Sequence, residues 1–191
     1  DGKLYVHDGR VGTFRRFDEA TGAFTTLVGG GSNSACPDGT LATACKINNG
    51  FSGFDAFVSA SGQIYFVDYV GIVRTVLADG TVRRIMGQAK GDGDGGLATE
   101  ARANAVNWVD QSSDGTLFFS DSSENRIRKF SINGNVTAHA AVATATVGNF
   151  LLNSTTKEIY SRSGNYAYKL PFASPVWASA GTISTTYNSE G

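Results

Sequence analysis

One short signature returns along this chain, and any fold has to accommodate its return. It is a glycine or polar turn, an apolar and aromatic run, a polar break, and then a second strand carrying cations. It reads Asp1-Gly2-Lys3-Leu4-Tyr5-Val6-His7-Asp8, then Ser61-Gly62-Gln63-Ile64-Tyr65-Phe66-Val67-Asp68, then Asp114-Gly115-Thr116-Leu117-Phe118-Phe119-Ser120-Asp121. A weaker fourth copy is Thr156-Lys157-Glu158-Ile159-Tyr160-Ser161-Arg162. Leu4 to Ile64 is 60 residues, Ile64 to Leu117 is 53, and Leu117 to Ile159 is 42. The shortest of these periods suits one four-stranded blade of a β-propeller, and the excess in the others falls in two long loops.

Each unit parses into four strands. In the second unit they are Phe54–Ser59, Gln63–Asp68, Ile72–Ala78 and Thr81–Met86,. Asp79-Gly80 and Asn133-Gly134 stand between the third and fourth strands of consecutive units. Asp-Gly or Asn-Gly between apolar runs is the strongest short hairpin signal, so the units are antiparallel meanders. The 24 glycines against 3 prolines agree with many tight turns in an all-β chain,. The second strand of each unit is apolar almost throughout, as a strand must be when both faces of its sheet are covered. The third strands carry cations beside apolar residues: Phe14-Arg15-Arg16-Phe17, Val73-Arg74-Thr75-Val76 and Ile127-Arg128-Lys129-Phe130. Such arms are expected to lay their stems along a neighbouring blade while the charge reaches water.

The expected blades span about 1–31, 51–90, 104–144 and 148–181, with a last strand at 182–188. The first unit begins at its second strand, and Thr182–Asn188 reads like the strand it lacks. Either that strand closes a small four-bladed ring, or the chain is an excerpt of a larger propeller.

Formal charge is −1, and the basic residues are scattered in pairs such as Arg83 and Arg84, so no continuous footprint for a nucleic acid backbone emerges,. The most apolar stretch, Ala138–Leu152, is broken by His139, Thr144, Thr146, Gly148 and Asn149, which argues against membrane insertion,. The opening at Asp1 rather than methionine reads as an excised or processed piece,. The only cysteines, Cys36 and Cys45, lie in a Gly/Ser/Asn/Asp-rich stretch without the further ligands of a zinc site,. They read as a local disulfide across a loop rather than as two unrelated thiols, which implies an oxidising compartment.

At Gly91-Asp92-Gly93-Asp94-Gly95-Gly96-Leu97-Ala98-Thr99-Glu100-Ala101, and again at Asp121-Ser122-Ser123-Glu124-Asn125-Arg126-Ile127-Arg128-Lys129-Phe130, the chain resembles an NHL-repeat β-propeller. The resemblance is to the bacterial and teneurin-like extracellular kind, in which such a glycine-rich loop precedes each blade. The third unit matches closely, the second and first progressively less. Members of that family usually close with six blades, so the resemblance implies that about four four-stranded antiparallel blades here are part of a larger propeller. Asp38-Gly39-Thr40-Leu41-Ala42-Thr43-Ala44 lines up with Asp94–Glu100 at an offset of 56 residues. On that alignment Cys36 replaces Asp92 and Cys45 replaces Ala101, which hints at an exposed loop stapled by its crosslink.

Asp92 and Asp94 invite a calcium reading, since alternating carboxylates on a glycine-bent backbone gather oxygen ligands round a hard cation. The loop lacks the later bidentate glutamate of an EF-hand, and Asp and Gly are what any tight turn selects, so a structural turn is preferred. Asp8, Asp68 and Asp121 end the second strand in three units and read as caps of the following turn,. His7 and His139 are the only histidines, too few for a three-histidine metal centre,. That weighs against the NHL-propeller lyases that cleave peptidyl-hydroxyglycine, whose chemistry relies on metal-bound histidines. No nucleophile elbow or phosphate loop is evident. Trp108 is expected to fill a gap between blades. The second-to-third-strand turns, Gly9–Gly12, Tyr69–Gly71, Ser122–Asn125 and Gly164–Asn165, differ in sequence and would lie side by side,. Arg10, Tyr69, Glu124, Asn125, Asn165 and Trp177 are the candidate contact residues.

The expected function is therefore a non-catalytic extracellular, periplasmic or cell-surface module for binding or adhesion, with no cofactor expected and calcium at Asp92 and Asp94 the less favoured option. Its partners would be a protein or glycan ligand and further blades or domains of the parent chain. The alternative is a fragment of an NHL-propeller lyase or hydrolase whose active groups lie on other blades.

Overall fold

The computed structural model describes residues 3–47, 56–68, 72–87, 97–101, 106–121, 126–131, 137–141, 150–163 and 166–172. Fourteen strands lie in these residues, in four antiparallel sheets whose members follow chain order. The first sheet holds β1 (Tyr5–Asp8), β2 (Thr13–Asp18) and β3 (Ala23–Gly29). The second holds β4 (Ala56–Val58), β5 (Ile64–Val67), β6 (Val73–Val76) and β7 (Val82–Met86). The third holds β8 (Val106–Gln111), β9 (Leu117–Asp121), β10 (Arg126–Phe130) and β11 (Thr137–Ala141). The fourth holds β12 (Phe150–Asn153), β13 (Glu158–Ser163) and β14 (Tyr166–Pro171). The nearly all-β architecture of consecutive meanders is a partial β-propeller. As the repeat phase implied, β1 pairs with β2 as a second strand pairs with a third. The Asn133-Gly134 turn and the Thr182–Asn188 strand lie outside the described residues.

The turns are built as their glycines require. Gly80 lies at φ +81°, its N–H donates to Leu77 O at 2.9 Å, and Leu77 N–H donates to Thr81 O at 2.7 Å. A type I turn closed by a left-handed residue is the three-residue hairpin solution, and only glycine adopts it without strain. Asp79 completes it, its Oδ1 accepting the Thr81 N–H at 2.9 Å. Gly62 and Gly115 repeat the arrangement between the first and second strands of their sheets, at φ +83° and +85°.

Alternation along the second strands divides their side chains between two cores. Tyr65 and Val67 join Val109, Leu117, Phe119 and Phe130 between the second and third sheets. Phe66 points the other way, to Phe14, Val28, Ile47 and Val82 between the first and second. Phe118 likewise turns from Phe119 toward Phe150 and Ile159 of the fourth sheet. Tyr65 and Phe118 are 3% and 1% exposed, which is why these strands are apolar at every position instead of at every other one,.

Candidate functional site

The aspartate that ends the second strand does more than cap a turn. Asp68 Oδ1 accepts the Ile72 N–H at 3.0 Å, and its Oδ2 accepts from Arg74 Nε at 2.7 Å. One sheet on, Asp121 Oδ2 pairs with Arg128 at 3.3 Å through Nη1 instead of Nε. Both pairs are buried. The expectation that these arginines carry their charge to water is therefore corrected for Arg74 and Arg128. The physical reason lies in register. A β-bulge falls immediately before the arginine, between Val73 and Arg74 and between Ile127 and Arg128, and again between Phe14 and Arg15 in the first sheet. The bulge places its extra residue on the outer strand, at Ile85, His139 or Leu27,. The arginine reaches the aspartate through the regular register of the two inner strands: Phe66 faces Arg74 and Phe119 faces Arg128, so the aspartate two residues further on lies diagonally opposite on the same face,. A paired, hydrogen-bonded charge tolerates burial. Capping holds as expected at Asp8, whose Oδ1 accepts the Arg10 N–H at 3.1 Å.

Cys36 and Cys45 form the expected disulfide, with Cα atoms 5.1 Å apart. The loop they close is exposed as expected, at Pro37, Asp38, Gly39, Leu41, Thr43 and Ala44, while the two cysteines that staple it are fully buried. It runs along the outer edge of β7 as a short added strand: Gly39 N–H donates to Val82 O at 2.9 Å, Val82 N–H to Thr40 O at 2.8 Å, and Ala42 N–H to Gly80 O at 2.9 Å. Asp38 Oδ1 accepts from the Arg84 N–H at 2.7 Å and from Arg74 Nη1 at 3.1 Å, and Ala35 O accepts from Arg74 Nη2 at 3.2 Å. Arg74 thus ties the second strand, the third strand and the incoming loop together. The alignment of this loop with the next one is matched by burial: Ala42 and Ala98 are 2% and 1% exposed, Cys45 and Ala101 are 0% and 1%.

The first strands β4, β8 and β12 touch in sequence, β8 against each of the others. On β8, Asp110 is half-buried; its Oδ1 accepts the Gln111 N–H at 2.8 Å. Burial pushes its carboxyl above the usual range, against the lowering effect of the Gln111 and Leu152 amides,. Burial also raises the Tyr65 hydroxyl, with Gln111 as its hydrogen-bond partner. Sequence reasoning missed Asp110. The available signal was a carboxylate in the otherwise uncharged run Val106-Asn107-Trp108-Val109-Asp110-Gln111. Trp108 is half-buried against Phe118, Ile127, Phe150 and Ile159, as a gap filler should be.

A groove of about 410 Å³ opens between the third and fourth sheets, lined by Asp114, Thr116, Phe118, Lys129, Lys157 and Phe172. The Phe118 and Phe172 rings lie 4.9 Å apart, and Lys157 Nζ stands 5.9 Å over the Phe172 ring. Lys129 Nζ donates to Phe172 O at 3.3 Å, so this cation closes the groove rather than facing it. Asp114 accepts from the Ser112 hydroxyl at 2.6 Å and the Thr116 N–H at 3.0 Å; these bonds, the first above all, hold its carboxyl down at about 2.

Of the residues proposed from sequence as contacts, Arg10 is exposed in the turn between β1 and β2. Tyr69, Glu124, Asn125, Asn165 and Trp177 lie outside the described residues, as do Asp92 and Asp94. Among the described residues no three His, Cys, Asp or Glu side chains converge as metal ligands.

These four sheets and the two built ends of their strands define the class: a β-propeller, present in part. Solved structures place the chain there as well. It is similar to a gluconolactonase from Xanthomonas campestris at 18% identity and TM-score 0.61, over 92% of this chain and 57% of that one. It is similar to virginiamycin B lyase from Staphylococcus aureus at 14% identity and TM-score 0.56, over 90% of this chain and 49% of that one. It is also similar to an auxiliary nutrient binding protein from Bacteroides ovatus at 17% identity and TM-score 0.56, over 84% of this chain and 42% of that one. The chain spans about half the length of these structures. At such identities the likeness shows the propeller fold alone and does not single out the NHL type. No family model matches the chain, and no curated protein matches it.

Proposed function

We propose that this chain is a binding or adhesion module of the NHL type, working outside the cell or at its surface, and that its second-to-third-strand turns meet a protein or glycan. The observation that carries this reading is the internal commitment of the charges beneath those turns: Asp68 to Arg74, Asp121 to Arg128, and Arg74 onward to Asp38. Charges tied up in this way fix the frame of the turns and leave the turn side chains as the variable part, Arg10, Tyr69, Glu124, Asn125 and Asn165 among them, with Trp177 near the end of the fourth unit as a further candidate. The Cys36–Cys45 disulfide supports an oxidising compartment,. Among the described residues no helix is long and apolar enough to cross a membrane. The nutrient-binding neighbour supports binding as a use of this fold. The blade limits given above, and a calcium-free turn at Asp92 and Asp94, belong to the same proposal. Asp38, aligned with Asp94, commits its carboxylate to Arg74 and to the Arg84 amide, which supports the turn. The test is an array of glycans and surface proteins. A ligand whose affinity falls about tenfold or more on combined Arg10→Ala and Tyr69→Ala substitution supports the reading. A ligand indifferent to all six candidate residues, or a calcium titration that reports tight stoichiometric binding lost in Asp94→Asn, counts against its respective part.

A second reading is a fragment of a propeller lyase or hydrolase. It is favoured by the raised carboxyl of Asp110 on a first strand, a position suited to acid–base chemistry, and by gluconolactonase and lyase neighbours,. Lactone or ester turnover by the full-length protein, abolished in Asp110→Asn or by chelation, would favour it over the binding module.

A further inference from the structure

Two equivalent sheet edges of this molecule are finished differently. In the second sheet Val76 faces Val82 and Arg74 faces Arg84; in the first, Phe17 faces Phe24 and Arg15 faces Thr26, with the bulge at the matching place in both. Phe24 is therefore the counterpart of Val82, and Arg15 of Arg74. Val82 is wholly buried, its side chain packed with Phe14, Val28, Ile47 and Phe66, and the Asp38–Ala42 loop is paired along its backbone edge. Phe24 is 52% exposed.

The backbone of that open edge is set for the same pairing. Phe17 N–H donates to Leu4 O at 2.9 Å, toward β1, so its partner Phe24 turns its own N–H and C=O outward from the sheet, as Val82 does,. The charge partner is missing in the same place. Arg15 Nε is buried and has no hydrogen-bond partner among the described residues; Arg128 Nε shares that state, but Arg128 Nη1 is paired with Asp121, and Arg74 Nε, Nη1 and Nη2 bond Asp68, Asp38 and Ala35. Asp8, the counterpart of Asp68, bonds the Arg10 amide.

We propose that the outer edge of β3 around Phe24, together with Arg15, is the docking site for an Asp-Gly-x-Leu-Ala loop carried by a propeller blade other than those of this chain. Two loops of that kind exist here, and residues 94–96 of the second lie outside the described residues. The Asp38–Ala42 loop lies on β7. The other continues into Ala98 and Ala101, which pack between the second and third sheets. The one acidic side chain in residues 173–191 is Glu190, in Asn-Ser-Glu-Gly rather than in an Asp-Gly-x-Leu-Ala sequence. An aspartate positioned like Asp38 would satisfy the guanidinium, and the following residues would add the short strand that covers the Phe24 edge.

The test adds a synthetic peptide of residues 33–47, closed by its Cys36–Cys45 disulfide, to the intact 191-residue chain. Amide exchange and fluorescence anisotropy are followed. Exchange at the Phe24 N–H slows at least about tenfold on saturation while that of the Val82 N–H is unchanged. The Asp38→Asn peptide binds about tenfold more weakly, Arg15→Gln in the chain costs the same, and the two together cost no more than either, as expected when one charge-assisted bond is removed from either side. Because Arg15→Gln has a buried neighbourhood, Phe24→Pro provides a second variant. It removes an outward N–H on an edge strand together with the ring packed on Phe17, so Phe24→Ala, which removes the ring alone, is its control. Phe24→Pro abolishes peptide binding and Phe24→Ala retains it, with the fold of both checked by circular dichroism. Unchanged exchange at Phe24, or equal affinity of the two peptides, overturns the proposal. So does protection of the Phe24 N–H that rises with chain concentration in the absence of peptide, since a second copy would then be the occupant.

Discussion

Arg74 shows how one side chain gains several functions once the backbone places it. It is paired with Asp68 at 2.7 Å with both side chains almost fully buried, so removing either partner strands a charge. Asp68→Ala should cost about 3–5 kcal/mol in denaturant unfolding, and the double change with Arg74→Met much less than the sum of the singles. A cost below about 1 kcal/mol would mean the pair is solvated. Asp110 works in the opposite sense. Its folded pKa lies above the unfolded value, so ionised Asp110 lowers stability at neutral pH, and that penalty disappears as pH falls below the ordinary carboxylate range,. Asp110→Asn should therefore raise the unfolding midpoint at pH 7 and have little effect near pH 3.5; equal effects at both would refute the assignment. Asp114 is depressed to about 2 by the Ser112 hydroxyl first and the Thr116 amide next. Its contribution is complete above the unfolded value and is lost as pH falls from about 4 through about 2. In Ser112→Ala, carbon NMR of the Asp114 carboxyl should show its titration moving upward.

The element that organises the described face is the crosslinked loop. A disulfide closing nine residues constrains the unfolded chain by about 3 kcal/mol in the chain-entropy account,. The loop also supplies the edge pairing of β7 and the second carboxylate for Arg74. Reduction or Cys36→Ser/Cys45→Ser should destabilise by about that amount and speed exchange of the Val82 N–H, which the loop covers, more than that of the Phe119 N–H in the neighbouring sheet. Uniform acceleration would indicate that the loop is held without the crosslink. A bulge recurs opposite Arg15, Arg74 and Arg128, each time adding its extra residue to the outer strand, at Leu27, Ile85 and His139,.

Across the whole molecule, each sheet leans on its neighbours, so stability should follow the number of covered faces. The described residues cover both faces of the second and third sheets, through Phe66 toward the first, Tyr65 and Phe119 toward each other, and Phe118 toward the fourth. Stacked repeats behave approximately as sums of intrinsic and nearest-neighbour terms. Native-state hydrogen exchange should accordingly give its highest opening free energies in β5 and β9 and lower ones in β3 and β14. A flat profile would argue for a molecule that opens only as one unit.

The repeat, the antiparallel meanders and the burial of Tyr65 and Phe118 were legible in residue order, because hydrophobic periodicity and turn glycines are local properties that neighbours merely satisfy. The disulfide was legible for the same reason, its two cysteines lying close in the chain. The Asp–Arg pairs, the seat of the crosslinked loop on β7, the raised carboxyl of Asp110 and the open edge at Phe24 were not. Each depends on a bulge, a register or a contact between segments tens of residues apart, and no local pattern encodes which partner arrives there. Only the tertiary arrangement decided where those charges are buried and which strand edge is left unpaired among the described residues.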